Sequence, residues 1–562
     1  MGLPGRTSRR VAIAAVLTLS AVGMPGIAHA SATATTRYTV MAADGVSRAD
    51  AAATITRLGG TILSSNDAVG MFSVAAPASG FVEAAAASPT LTGAAHEVSI
   101  GHAPNKPASV ENEGSYKGTT NAGSGRKKEA GLDPLDDKLW GLQMLHADQA
   151  RKVEPGDKRV TVGVLDTGVD ASNPDIAPNF NWSLSRNFAP DKVDIDGACE
   201  VPSCLDPVGT DDGGHGTHVA GTIGAAANGF GISGVAPGVS LVELKGGQDS
   251  GFFFLEPTVN ALTYAADAGI DVVNMSYYVD PWLYNCTANP ADSPAAQAEQ
   301  RTIIKGVFRA LTYAHSKGVT LVAALGNDHD NKDRPRADTS SPDYPTTATT
   351  YPRTIDPGSC WDLPVEGPFV IGVSALGPSG KKSDYSNYGS SQVSVSAPGG
   401  YFRDYFGTDR FSTAANEILS TYPKKVLQEE LKVDADGNVM PGFENTVFKQ
   451  CRDGKCGYYT YLQGTSMASP HATGVAALIV SRFGRPDPAH RGGLTLDPRT
   501  TELILEASAS EHPCPSPPTV TYTAEGRDAS FTATCEGPTQ FNSFYGHGIV
   551  NAYAAVTYHG GH

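Results

Sequence analysis

A serine, a histidine, an aspartate and an asparagine in this chain sit where their chemistry could be used. Ser466 stands in Gly464-Thr465-Ser466-Met467-Ala468-Ser469-Pro470-His471, and the run 472–480 that follows is apolar on nearly every face, so it reads as a buried helix. A serine at the mouth of such a helix sits among unpaired backbone N–H groups at the positive end of the dipole. Pro470 is read as lying in the first helical turn, where a proline sacrifices no hydrogen bond. The plain alternative is a helix-capping serine. Asp166 directly follows the apolar run 160–165, where it is either a turn residue or a functional carboxylate. His215 lies in Gly213-Gly214-His215-Gly216-Thr217-His218, at a helix entrance. His215 and His218 also have the spacing of a metal pair, but no third ligand at suitable spacing supports that reading. Asn327 ends Ala323-Ala324-Leu325-Gly326-Asn327, as a helix cap or as a donor to an oxyanion.

Each of these residues is weak alone, and together they form a complete acyl-transfer set. A serine hydroxyl barely ionises at neutral pH and needs an adjacent base. Histidine titrates near neutrality, so it can take that proton and return it to a leaving amine. A carboxylate fixes the histidine tautomer and stabilises the imidazolium, and a side-chain amide stabilises the developing oxyanion.

These residues need elements to hold them at the ends of strands. Strand-like runs at 160–165, 240–244, 271–275, 320–324 and 369–373 alternate with helical stretches at 218–227, 257–268 and 297–317. The alternation predicts an α/β domain with a mostly parallel central sheet, and in such sheets chemistry lies beyond the carboxyl ends of the strands. Ahead of it, residues 36–100 read as strands at 37–41, 61–63 and 71–74 and helices at 47–58 and 80–87. With a closing strand at 98–100 this is a β-α-β-β-α-β, ferredoxin-like α+β module. Residues 101–131 are rich in Pro, Gly, Ser, Asn and Lys and read as a flexible linker open to proteolysis. Residues 1–30 have the form of a secretory signal peptide: Arg6, Arg9 and Arg10, a short apolar core, and Ala28-His29-Ala30 as the cleavage site. The expected organisation is therefore a signal at 1–30, a module at 36–100, a linker at 101–131 and a main domain at 132–562.

The net charge of −16 over 562 residues argues against a nucleic-acid partner. No apolar run is long enough for a membrane anchor, so the expected location is secreted and extracellular. Eight cysteines in an exported chain suggest disulfides. Local pairs 199–204, 451–456 and 514–535 are the simplest arrangement, which leaves Cys286 with Cys360. A zinc site competes, but no second CxxC or histidine cluster completes a ligand set.

At these motifs the chain resembles the subtilisin-like serine proteases. The matching stretches are Val164-Leu165-Asp166-Thr167-Gly168-Val169, the His215–Thr222 segment, Ala323 to Asn327, Gly464 to His471, and the closing Phe544-Tyr545-Gly546-His547-Gly548-Ile549-Val550-Asn551-Ala552. The resemblance covers about residues 135–556. It implies the three-layer α/β fold of that family and a secreted endopeptidase made as a preproenzyme, with residues 36–100 as an inhibitory propeptide that the enzyme removes itself. Polypeptides are the implied substrates. Ser466 is then the nucleophile, His215 the base, Asp166 its orienting carboxylate, and Asn327 part of the oxyanion hole. Ser276 and Tyr277, together with Gly251 on the opposite edge, are expected to bind substrate. Tyr278 replaces a small glycine of the family pattern, which predicts a reshaped primary specificity pocket unless the ring turns outward. Phe252, Phe253 and Phe254 either wall the cleft or fill core. No cofactor is implied for the chemistry. Structural calcium is common in the family, with its ligands here unknown: Asp133, Asp136 and Asp137, and the Asp328, Asp330, Asn331 and Asp333 group, offer oxygens. Two insertions, at about 401–462 and 512–536, depart from the family pattern. The first is expected to contain a helix over 422–432 and to overhang the cleft. Two rivals remain: a serine-carboxyl peptidase, against which His215 and Asn327 speak, and a non-catalytic scaffold, against which the intact set speaks.

Overall fold

Short strands separated by two alanine-rich helices build the first described elements: β1 (Thr35–Ala42), α1 (Arg48–Arg57), β2 (Thr61–Asn66), β3 (Met71–Pro77), α2 (Phe81–Ala86) and β4 (Leu91–His96). The strands pair antiparallel in the order β2-β3-β1-β4, the ferredoxin-like arrangement. Ser47 caps α1 by accepting from Asp50 N at 3.1 Å. Tyr38, Val40, Ile55, Phe72, Val74, Phe81 and Ala94 fill the space between sheet and helices. The computed structural model describes residues 35–97, 110–114, 133–343 and 350–560. The expected signal, the strand at 98–100 and most of the 101–131 linker lie outside them, and the closing strand is β4.

The larger part is a seven-stranded, all-parallel sheet. Its strands are β5 (Thr161–Asp166), β6 (Arg186–Asn187), β7 (Ser240–Lys245), β8 (Val272–Met275), β9 (Thr320–Ala324), β10 (Val370–Leu376) and β11 (Val395–Pro398), in the order β11-β10-β9-β8-β5-β7-β6. β5, β7, β8, β9 and β11 are buried at every position, as strands covered on both faces must be. The covering helices are α3 (His215–Gly224), α4 (Leu255–Ala268), α5 (Pro294–Ser316) and α6 (Thr465–Phe483). β5 sits between β7 and β8, so the chain crosses to opposite sides of the sheet after it. That crossover opens a crevice at the carboxyl ends of the strands.

The N-terminal sheet docks on α4 and α5. Asn66 Nδ2 donates to Asn260 Oδ1 at 2.9 Å and Thr263 Oγ1 at 2.7 Å, and Asp44 pairs with Lys305 at 2.5 Å and Arg309 at 2.7 Å. Gly93 of β4 allows the close approach, because a Cβ there would lie 2.4 Å from Thr302 Oγ1.

The first insertion folds as β12 (Ile418–Tyr422), a short helix at Lys424–Glu429, β13 (Val447–Arg452) and β14 (Lys455–Leu462), with the strands in the order β12-β14-β13. The helix is shorter than the 422–432 expected because Tyr422 is the last residue of β12, paired with Tyr458. Four disulfides join Cys199–Cys204, Cys286–Cys360, Cys451–Cys456 and Cys514–Cys535. The last closes a loop holding the strand pair Thr519–Val520 and Ala533–Thr534. Among the described residues no helix is long and apolar enough to cross a membrane.

Candidate active site

Asp166 is the last residue of β5 and fully buried. Its Oδ1 lies 2.7 Å from His215 Nδ1 and also accepts from Thr167 N at 2.8 Å. His215 opens α3. Gly214 before it has φ 85°, and a Cβ there would lie 2.6 Å from the Tyr422 ring, so only glycine fits this junction. Asp211, which the sequence reading passed over, ties down the start of α3. Its Oδ1 accepts from Gly214 N at 2.8 Å and Thr167 Oγ1 at 2.9 Å, and its Oδ2 from Thr217 N at 2.8 Å. An acidic residue just ahead of a Gly-Gly-His helix entrance was the signal for it.

Ser466 lies in the first turn of α6, whose cap is Gly464 and not a side chain. The helix begins at Thr465, which puts Pro470 in the second turn and not the first. A proline there removes the N–H that would bond the Ser466 carbonyl. Ser276 Oγ replaces it, donating to Ser466 O at 3.1 Å. Asn274 orients that hydroxyl by donating to it at 2.9 Å, and its own Oδ1 accepts from Ser469 Oγ at 2.7 Å and Thr473 Oγ1 at 2.9 Å.

Asn327 follows β9 in a loop held by the buried Asn387, which accepts from Asp328 N at 3.0 Å and Asp330 N at 2.8 Å. Thr465 N and Oγ1 both donate to Asn327 Oδ1, at 2.9 and 2.8 Å. With its oxygen so engaged, the amide turns its nitrogen into the cleft.

The three groups converge on one atom. Glu111, in a short turn at Val110–Asn112, directs Oε1 to 2.9 Å from Ser466 Oγ, 3.4 Å from Asn327 Nδ2 and 3.9 Å from His215 Nε2. Its backbone is fixed by Gln463 N, which donates to Glu111 O at 3.0 Å. The linker's composition gave no sign of this contact. Burial alone would pull the His215 pKa down, but the charge and hydrogen bond of Asp166, with the charges of Glu111 and Asp211, hold it up at about 9.

His218 is no metal ligand. Its Nε2 donates to Ile418 O at 3.0 Å and Thr460 O at 3.2 Å, joining α3 to β12 and β14, and burial pushes its pKa down to about 3.

The cleft around Ser466 encloses about 660 Å³ and is bordered by Gly251, Ser276, Tyr277 and Tyr278. Tyr278 lines the cleft, and its hydroxyl donates to Asp343 Oδ2 at 2.6 Å. Tyr277 stacks on Phe253 with centroids 4.0 Å apart. Phe253 thus meets the cleft, while Phe252 and Phe254 bury with Ile195. Tyr422, Glu430, Lys432 and Phe443 of the first insertion form a further wall.

Several of the oxygens named for calcium already accept hydrogen bonds from the protein. Asp133 accepts from Gly229 N at 2.7 Å, Asp136 from Ser233 N at 2.8 Å, Asp330 from Tyr284 and Asp333 from Ser391 N at 2.9 Å. Among the described residues, neither group brings three carboxylate oxygens together within ligand distance of one another. Among the described residues, Asp191, Asp206 and Asp249 do converge, but the Lys245 ammonium already lies 3.2 Å from Asp206 and 2.5 Å from Asp249.

The sequence profile of the Subtilase family, Peptidase S8, matches residues 157–548. Subtilisin DY from Bacillus licheniformis is 28% identical over 344 residues, covering 61% of this chain and 85% of that protein. Thermitase from Thermoactinomyces vulgaris is 27% identical over 354 residues, 62% of this chain and 85% of that one. In fold, the chain is similar to an epidermin leader peptide processing serine protease from Staphylococcus aureus, with a TM-score of 0.60 and 18% identity over 94% of this chain and 99% of that one.

Proposed function

Because the chain belongs to the subtilase family of serine proteases, we propose that Ser466 is the nucleophile attacking the scissile carbonyl, with His215 as base and then acid, Asp166 as its orienting carboxylate and Asn327 as oxyanion donor. The enzyme hydrolyses peptide bonds in polypeptides, and subtilase chemistry requires no cofactor. The observation that carries the assignment is the convergence of Ser466 Oγ, Asn327 Nδ2 and His215 Nε2 on Glu111 Oε1. That carboxylate oxygen stands in for the oxyanion of a tetrahedral intermediate. In the reaction, His215 Nε2 takes the Ser466 proton as the hydroxyl oxygen bonds to the carbonyl carbon. Charge developing on the carbonyl oxygen meets Asn327 Nδ2 and the Ser466 backbone N–H. The imidazolium, countered by Asp166, protonates the leaving amine, and water then hydrolyses the acyl-enzyme by the reverse proton path.

Residues 1–30 direct export, residues 36–100 are an inhibitory propeptide, and the enzyme cuts within 101–131. Extracellular release agrees with four disulfides. Before that cut Glu111 keeps the site latent twice over: it fills the oxyanion position, and its charge helps to keep His215 protonated.

A serine-directed fluorophosphonate tests this reading. Labelling of the uncut chain at Ser466 is expected to be slow at pH 7 and to rise as the pH passes about 9, where His215 loses its proton. In Glu111→Ala the His215 pKa falls, so labelling at pH 7 rises about tenfold for each unit of fall. Absence of labelling at Ser466 in both proteins, and in chain cut within 101–131, would refute the assignment.

Removing the amide in Asn327→Ala is expected to lower kcat about 10²- to 10³-fold, the range established for a subtilisin, with KM nearly unchanged. Steady-state kinetics on one peptide substrate reads both constants. A change confined to KM would assign Asn327 to ground-state binding instead.

A further inference from the structure

The two insertions meet around a carboxylate that the catalytic set does not use. Glu113 lies two residues beyond Glu111. Arg403 Nε donates to its Oε1 at 2.7 Å, and Arg403 Nη2 pairs with the same oxygen. On the other side Arg527 Nη2 donates to Oε2 at 2.9 Å and Gln463 Nε2 at 3.1 Å. Arg403 comes from the first insertion and Arg527 from the second. Gln463 is the residue immediately before Gly464, at the threshold of Ser466.

This cradle is braced independently of Glu113. Arg403 Nη1 donates to Glu525 O at 2.7 Å, and Arg527 Nε pairs with the buried Asp384. Phe402 N donates to Gln463 Oε1 at 2.6 Å, which turns the Gln463 amide nitrogen toward the carboxylate. Without Glu113 the charges here are unequal, three cations to two carboxylates. Asp384 answers Arg527, and Glu525 pairs with Lys381 at 2.5 Å. Among the described residues, Glu113 is the carboxylate that answers Arg403. With Glu113 in place the Arg403 and Arg527 side chains are 25% and 16% exposed, so the carboxylate and both guanidinia meet in a largely covered site.

We propose that, once the linker is cut, Arg403, Arg527 and Gln463 form a substrate subsite that selects an acidic side chain close to the scissile bond on the Gln463 side of the cleft. The proposal rests on the protease reading above. A guanidinium fork matches a carboxylate in geometry as well as charge, so glutamate or aspartate refills the place that Glu113 vacates. Gln463, which holds Glu113 through its side chain, also donates its backbone N–H to Glu111 O at 3.0 Å, which sets the subsite beside the residue that meets Ser466.

The test uses the processed enzyme and paired peptides that differ by Glu against Gln, one position at a time. At one position on the Gln463 side, kcat/KM is expected to favour Glu by about tenfold or more at low salt. That preference shrinks as ionic strength rises. Arg403→Gln brings the Glu-to-Gln ratio close to one, and Arg403→Glu turns the preference toward Lys. Arg403 is the position of choice because Arg527 also answers the buried Asp384. Equal cleavage of Glu and Gln peptides at every position overturns the subsite and leaves the protease reading standing. Failure to cleave any peptide, with Ser466 unlabelled, overturns that reading and the subsite with it.

Discussion

Replacing Ser466 with alanine is expected to lower kcat by about 10⁶-fold, the size of the loss when a subtilisin is deprived of its serine, and to leave the 101–131 segment intact. The argument is chemical. Without the hydroxyl no acyl-enzyme forms, and the residual rate comes only from binding and the oxyanion donors. The same substitution should cost the fold little. The Ser466 hydroxyl donates to the Glu111 carboxylate, a contact worth about 1.5–3 kcal/mol and small against a fold of this size, and its backbone bond to Ser276 is untouched. A melting temperature close to that of the parent uncut chain therefore accompanies the loss. Mass spectrometry of the purified variant reads the processing. A chain still cut within 101–131, in a host lacking other proteases, would show that the enzyme does not process itself.

Much of this site was legible because its residues sit at places that secondary structure dictates. Asp166 ends strand β5, Asn327 and Ser276 follow β9 and β8, and His215 and Ser466 lie in the first turns of helices α3 and α6. Local pattern marks those junctions well. It failed where a distant group decides the outcome. Pro470 looked like a first-turn proline because a proline within a helix ordinarily costs a hydrogen bond. Here Ser276, 190 residues away in sequence, supplies the missing donor, and the helix starts a turn earlier. The histidine pair has metal-like spacing but lacked a third ligand in the sequence, and what local pattern could not show is that His218 is spent on the carbonyls of Ile418 and Thr460, about 200 residues or more away. Glu111 was illegible for a plainer reason. It lies in a polar linker without periodicity, and it meets Ser466 across 355 residues of sequence. Arg403 and Arg527 belong to separate insertions whose meeting point only the fold defines. Charge and composition could not have paired them.

Asp166→Asn is expected to lower kcat about 10⁴-fold, the effect of the corresponding change in another serine protease, while peptide binding is largely kept. Asp166 Oδ1 is 2.7 Å from His215 Nδ1, and an amide of the same shape keeps the packing but removes the charge. The imidazolium formed in the transition state then lacks its counter-charge, and the tautomer that leaves Nε2 free as a base is no longer enforced. The same change has a signature in stability. The folded His215 pKa is raised from 6.5 to about 9, chiefly against burial by Asp166. A raised histidine pKa stabilises the folded state fully below the unfolded value, and that contribution is lost as pH climbs through the folded value. The comparison belongs in the uncut Ser466→Ala background, where Glu111 stays in the site. There, adding Asp166→Asn should open a stability gap, measured by chemical denaturation, that is widest below pH 6.5 and closes toward pH 9. A gap that stays constant across that window would mean that Asp166 acts by packing alone, and that the charge on His215 is set by other groups.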